Sequence, residues 1–190
     1  MRPSRVETGG AGRREMAVVL GVAVLAAAVL VLAAGRTWSV VVWAPPGLPR
    51  TDQALVGRVL APGAFAFGLA GLAGAVGVLA TRGWARRVVG AVVALCGLGA
   101  VMSSALATGA AAATRELPAA SARSADIAVQ VTAWPWIALA AGAVLTLAGA
   151  VTVVRCARWP GMGARYDAPK QREAEPDMWR ALDRGDDPTV

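Results

Sequence analysis

Histidine is absent from this 190-residue chain. That one absence removes His-activated nucleophiles and the commonest metal ligand together. Lysine is nearly absent as well, with Lys170 alone against 18 arginines. There are two cysteines, Cys96 and Cys156. Helical rise would put Cys96 about 12 Å above the inner end of its apolar run, whereas Cys156 sits just past the end of another. A disulfide needs Cα atoms within about 7 Å, so two free thiols are expected, with Cys96 a packing residue. The most informative scarcity is of charge. Residues 16–35, 59–81, 88–114 and 127–154 form runs of 20, 23, 27 and 28 residues without Asp, Glu, Lys or Arg. No ionisable pair at membrane depth is therefore available to an ion-coupled carrier.

What the chain does have is length enough to cross a bilayer four times. About 20 apolar residues at ~1.5 Å per residue span the ~30 Å hydrocarbon core. A soluble domain would need a polar face on such helices. Hydrophobic residues make up 56% of the chain and mean hydropathy is +0.54, both typical of a membrane class. The expected fold is an all-α membrane protein, a four-helix transmembrane bundle with spans near 16–35, 61–81, 88–110 and 134–154. Residues 1–15 form an N-terminal segment and 155–190 a tail. The 20-residue first run exceeds a signal-peptide core of 7 to 15 residues, so an uncleaved first helix is expected.

The net charge of +7 is distributed beside the spans, not gathered into a nucleic-acid-binding block. The N-terminal segment, the loop between spans two and three and the tail hold 14 positive residues; the other two loops hold five. The excess assigns both termini to the cytoplasm of a multi-pass plasma-membrane protein. Trp38, Trp43, Trp134 and Trp136 then fall at the outer surface, and Trp84 and Trp159 at the inner one. Indole favours the headgroup region because it joins an apolar body to one N–H donor. An outer aromatic ligand cluster of Trp38, Trp43, Trp134 and Trp136 is the sharper alternative.

The first outer loop opens with the β-branched and aromatic run Thr37-Trp38-Ser39-Val40-Val41-Val42-Trp43. Pro45-Pro46-Gly47 breaks it, and Ala54-Leu55-Val56 resumes. Residues 126–132 of the second outer loop alternate with period two. These segments can pair as a small extracytoplasmic β-sheet of two or three strands. The competing arrangement is an irregular linker at 119–123 running straight into span four. Within the spans, Gly68, Gly71, Gly74 and Gly77 recur every three residues. Gly90 and Gly97 mark the third span, and Gly142, Thr146 and Gly149 the fourth. Small residues let helices approach closely in lipid, which serves bundle packing or a homo-oligomer equally. Pro62 suits the first turn of span two, where its missing N–H is harmless. Ser103, Ser104 and Thr108 are the clustered hydroxyls, expected to bond their own helix backbone.

The tail carries the most specific residues. Arg158-Trp159-Pro160-Gly161-Met162-Gly163-Ala164-Arg165-Tyr166 is followed by a charged linker and a final block. In that block Pro176, Asp177 and Gly185 describe a short helix over 176–184. Met178 and Leu182 at i,i+4, with Trp179 beside them, give it an apolar edge for docking on a cytoplasmic protein partner. Asp183, Asp186 and Asp187 lack the spacing of a Ca²⁺ loop, so no metal or cofactor is expected.

Several of these blocks resemble the tryptophan-associated (Trp biosynthesis-associated) transmembrane proteins of actinobacteria. The matching pieces are Arg13-Arg14-Glu15, Arg36-Thr37-Trp38, residues 57–62 and 82–87, and Trp159-Pro160 with Met162-Gly163 and Arg165-Tyr166. The ending, Trp179-x-Ala-Leu-Asp-Arg-Gly-x-Asp-Pro-Thr, completes them. The resemblance implies a plasma-membrane protein encoded beside tryptophan-pathway enzymes, and it implies no reaction and no site residues. The expected function is a non-enzymatic accessory anchor or regulator of a cytoplasmic partner. The alternative is a facilitator, or an auxiliary subunit, for membrane passage of a small aromatic solute such as indole or tryptophan. In that alternative the outer tryptophans and Ser103-Ser104 would line a vestibule.

Overall fold

The computed structural model describes residues 8–43, 49–116 and 127–159. Four helices within it are long and apolar enough to cross a membrane: Gly12–Ala34, Pro62–Ala80, Trp84–Ala107 and Trp134–Arg155. The first lies within α1 (Thr8–Ala34). Two strands follow, β1 (Thr37–Trp43) and β2 (Thr51–Val56), then the single turn α2 (Gly57–Leu60) and the second long helix, α3 (Pro62–Ala80). The third long helix is α4 (Trp84–Ala107), trailed by α5 (Ala110–Arg115) and β3 (Ile127–Val131). The fourth, α6 (Trp134–Arg155), ends in a 3₁₀ turn, Cys156–Arg158.

Helix boundaries follow local chemistry. Pro62 occupies the first turn of α3, where no intrahelical N–H is required. Gly83 is the one described residue with positive φ, at 60°, and its missing side chain permits the tight turn between α3 and α4. Because the turn is completed there, α4 starts at Trp84 and carries Arg86 and Arg87 in its first turn. At the other end α4 stops at Ala107, and Gly109 precedes the separate short helix α5. Two threonine hydroxyls of α6 bond backwards to carbonyls four residues earlier, Thr146 to Gly142 (2.9 Å) and Thr152 to Ala148 (2.8 Å). This keeps them satisfied where lipid offers no partner.

The long helices form an up-down-up-down bundle in which α1 packs on α3 and α6, and α4 packs on the same two. Glycines set the spacing. A Cβ on Gly149 would fall 2.8 Å from both the Ala94 Cα and the Gly90 carbonyl oxygen, so α4 and α6 meet backbone to backbone. Gly97 lies against Thr146 and Gly90 against Thr152 on the same interface. On α3, Gly68 and Gly71 admit Leu30, Ala27 and Leu145, whereas Gly74 and Gly77 admit Val93 and Val89. At ~100° per residue the nine steps from Gly68 to Gly77 turn the stripe half-way round the helix, so one glycine series serves three neighbours, α1, α6 and α4. These stripes are therefore occupied by helices of the same chain, which leaves a homo-oligomer to other surfaces.

The loop between α1 and α3 and the one between α4 and α6 do form a sheet. Its order is β2-β1-β3, all antiparallel, and it stands where α1 ends and α3 and α6 begin. Val41 faces Val129 and Trp43 faces Ile127 across the β1–β3 pair. With Leu55 and Ala113 of α5, Val41 and Trp43 make a small apolar core separate from that of the bundle. The bundle core is lined by Ala27, Leu30, Trp38, Ala64, Ala138 and Leu145, among others.

Candidate functional site

Trp38 joins the sheet to the bundle. Register shifts between Thr37 and Ser39, which pair with Val56 and Leu55, so Trp38 is the extra residue of a bulge. A bulge re-aims a side chain, and here the indole leaves the sheet and enters the helical core, where it is fully buried. Its Nε1–H donates to the Ala33 carbonyl at 2.8 Å, which also accepts the Arg36 N–H at 3.0 Å. Gly57 makes room for the ring; a Cβ there would collide with the indole and come within 3.0 Å of the Ala34 Cα. Thr132 completes the lock. Its hydroxyl donates to the carbonyls of Thr37 (2.8 Å) and Trp38 (3.2 Å), and its N–H donates to the Trp38 carbonyl (2.9 Å).

The same junction holds two arginines side by side. The Gly57 N–H donates to the Arg36 carbonyl at 2.9 Å, which brings Arg36 and Arg58 together across 22 residues of chain. The Arg36 guanidinium lies 5.4 Å from the centre of the Trp134 ring, and that of Arg58 lies 5.8 Å from Phe65. Both distances are within cation–π range. Val31, Leu32, Gly35, Arg36, Arg58 and Phe65 line an open cleft of about 350 Å³. Neither guanidinium pairs with a carboxylate among the described residues.

At the opposite end, Glu15 on α1 and Arg155 on α6 form an ion pair of 2.8 Å. Arg86 is buried and its Nε–H donates to the Thr81 carbonyl at 3.1 Å, closing the α3–α4 turn. Trp159, expected at an interfacial belt, is instead buried with Val78 and Cys156 against Met16, Val19, Leu20 and Val89. Trp84 does stay exposed. Cys96 and Cys156 are both free and buried.

The four tryptophans at the sheet end are not gathered into one cluster. Trp38 belongs to the bundle core with Trp134 partly buried against it, Trp43 belongs to the core under the sheet, and Trp136 is 63% exposed. Of the hydroxyls, Ser104 is fully buried with no partner among the described residues, and Thr108 bonds the Ala105 carbonyl at 2.7 Å. The docking residues Met178, Trp179 and Leu182, and the helix expected over 176–184, lie outside the described residues, as does the linker at 119–123. Sequence reasoning treated Arg36 and Arg58 as topology-setting charge only. Their pairing depends on the β1–β2 register, for which the sole sequence signal was the repeated strand-like composition on either side of Pro45-Pro46-Gly47.

Among the described residues no group of three or more Cys, Asp or Glu is placed to hold a metal ion. Comparison with curated proteins and with solved structures returned no match. A family model described as "Tryptophan-associated transmembrane protein" matches residues 19–189. With four apolar helices and a match over nearly its whole length, the chain belongs to the tryptophan-associated transmembrane protein family.

Proposed function

We propose that this protein is a non-enzymatic accessory of tryptophan metabolism in the plasma membrane, holding or regulating a cytoplasmic enzyme through residues 160–190. Both termini face the cytoplasm in this reading, as the arginine distribution favours. The observation that carries it is the seating of Trp159. Burial against α1 and α4 fixes the point from which the tail departs, as an anchor requires. The apolar edge of Met178, Trp179 and Leu182 is the segment that would fold on the partner. The bundle axis, filled by Ala27, Leu30, Gly71 and Leu145, gives the solute-facilitator alternative little support.

The test is an affinity pull-down from mild detergent with three proteins: the full chain, a form ending at Arg172, and the triple variant Met178→Ala, Trp179→Ala, Leu182→Ala. Recovery of a tryptophan-pathway enzyme with the full chain, and at least about tenfold less with both altered forms, is the expected result. A tenfold loss corresponds to ~1.4 kcal/mol, a modest share of what apolar anchors of this kind contribute. Equal recovery with all three would overturn the reading.

A further inference from the structure

We propose that the cleft between α1 and α3 is a binding site for the phosphodiester headgroup of an anionic phospholipid, held by Arg36 and Arg58. Three observations converge on this chemistry. First, Arg36 and Arg58 line one cleft, brought there by the hydrogen bond between the backbones of residues 36 and 57, and no carboxylate among the described residues neutralises either one. Two adjacent cations without a counter-charge leave the site in want of an anion. Second, each guanidinium lies over an aromatic ring. Trp134 and Phe65 orient them, while the in-plane N–H groups stay available, and those are the donors whose fork matches two phosphate oxygens. Third, the remaining wall is apolar and open. Leu32 is 63% exposed on the outside of the bundle, and Val31 and Phe65 continue that surface.

Depth selects the source of the phosphate. Arg36 follows the span ending at Ala34 by two residues, and Arg58 precedes the span beginning at Pro62 by four. A rise of ~1.5 Å per helical residue puts both groups at headgroup level, directly beyond the hydrocarbon. A lipid can set its phosphate on the two arginines and lay an acyl chain along Leu32 and Phe65. Free phosphate would use only the first half of the site. The paired cations also choose among lipids. They repel the ammonium of a choline or ethanolamine headgroup and accept a glycerol headgroup, whose only charge is the phosphodiester.

The experiment uses the full chain, purified in mild detergent and exchanged into nanodiscs of phosphatidylcholine containing a minor share of phosphatidylglycerol. Lipid retained after gentle release is read by native mass spectrometry. Wild type is expected to retain phosphatidylglycerol at least about tenfold above its share in the disc, the scale of one charge-assisted hydrogen bond. Arg36→Gln/Arg58→Gln should fall to that share, and Arg82→Gln/Arg87→Gln, which removes the same charge at the other end, should not. Equal retention by all three proteins would overturn the proposal, and so would an equal loss in both double variants, which signals unspecific attraction. Displacement of the lipid by millimolar inorganic phosphate would overturn the lipid assignment in favour of a soluble anion. A photoactivatable phosphatidylglycerol on the wild-type protein needs no variant to fold. Adducts concentrated on 31–36 and 58–65 support the site, and adducts spread evenly over the four helices refute it.

Discussion

Trp38 shows how much a single residue can decide. Its ring fills the junction of sheet and helices, and its N–H adds a second hydrogen bond to the Ala33 carbonyl, which already accepts from the Arg36 N–H. Trp38→Phe keeps most of the volume and loses one hydrogen bond to a carbonyl that retains another, so it should cost about 0.5–1.5 kcal/mol. Trp38→Ala adds a cavity and should cost about 3–5 kcal/mol. Thermal unfolding of the detergent-solubilised protein, followed by near-ultraviolet circular dichroism, ranks the two. A phenylalanine variant as damaged as the alanine one would show that the hydrogen bond, not the volume, dominates. The type of residue was evident from the sequence, its role was not. A tryptophan next to a span reads as an interfacial belt residue, and only the bulge between Thr37 and Ser39 turns it inward. Trp159 was misread for the same reason, because its burial depends on residues of α1 and α4 distant in the chain.

At the scale of elements, glycine position matters more than glycine content. Gly149→Ala places a methyl against the Ala94 and Gly90 backbones, which cannot yield as a flexible side chain would. Overpacking of this kind costs about 1–3 kcal/mol. Gly21→Ala on α1 meets nothing within 4 Å and replaces a poor helix former by the best one. It should leave stability unchanged or raise it by up to about 1 kcal/mol. Both variants can be compared by the temperature at which the purified protein aggregates. Destabilisation by both, to the same degree, would contradict the α4–α6 geometry. From sequence, a stripe on a helix predicts close approach without saying to what. Gly68 and Gly77 both belong to the α3 series, yet they meet different helices, because a three-residue step drifts round a helix of 3.6 residues per turn.

For the whole molecule, the assignment of sides rests on arginine asymmetry, and it can be measured. Trp84 and Trp136 are both exposed and stand at opposite ends of the bundle. With Trp136→Cys, a membrane-impermeant maleimide should label intact cells. With Trp84→Cys, labelling should require permeabilised cells. The native thiols at Cys96 and Cys156 are buried and should contribute little background. Labelling of the Trp84→Cys protein in intact cells would reverse the orientation. It would move the Arg36–Arg58 cleft to the other leaflet without altering its chemistry.

Four spans and their antiparallel order were determined by the sequence alone, because the bilayer imposes a length and a polarity that local composition must meet. So was the family, since the residues carrying the resemblance are contiguous blocks. The strand segments were also marked locally, by β-branched runs on either side of a proline–glycine break. Their partners, the bulge, the inward turn of Trp38 and the meeting of Arg36 with Arg58 were decided only by the tertiary structure. Each depends on which backbone groups pair across tens of residues, and that pairing is selected by the packing of the whole bundle beneath the sheet.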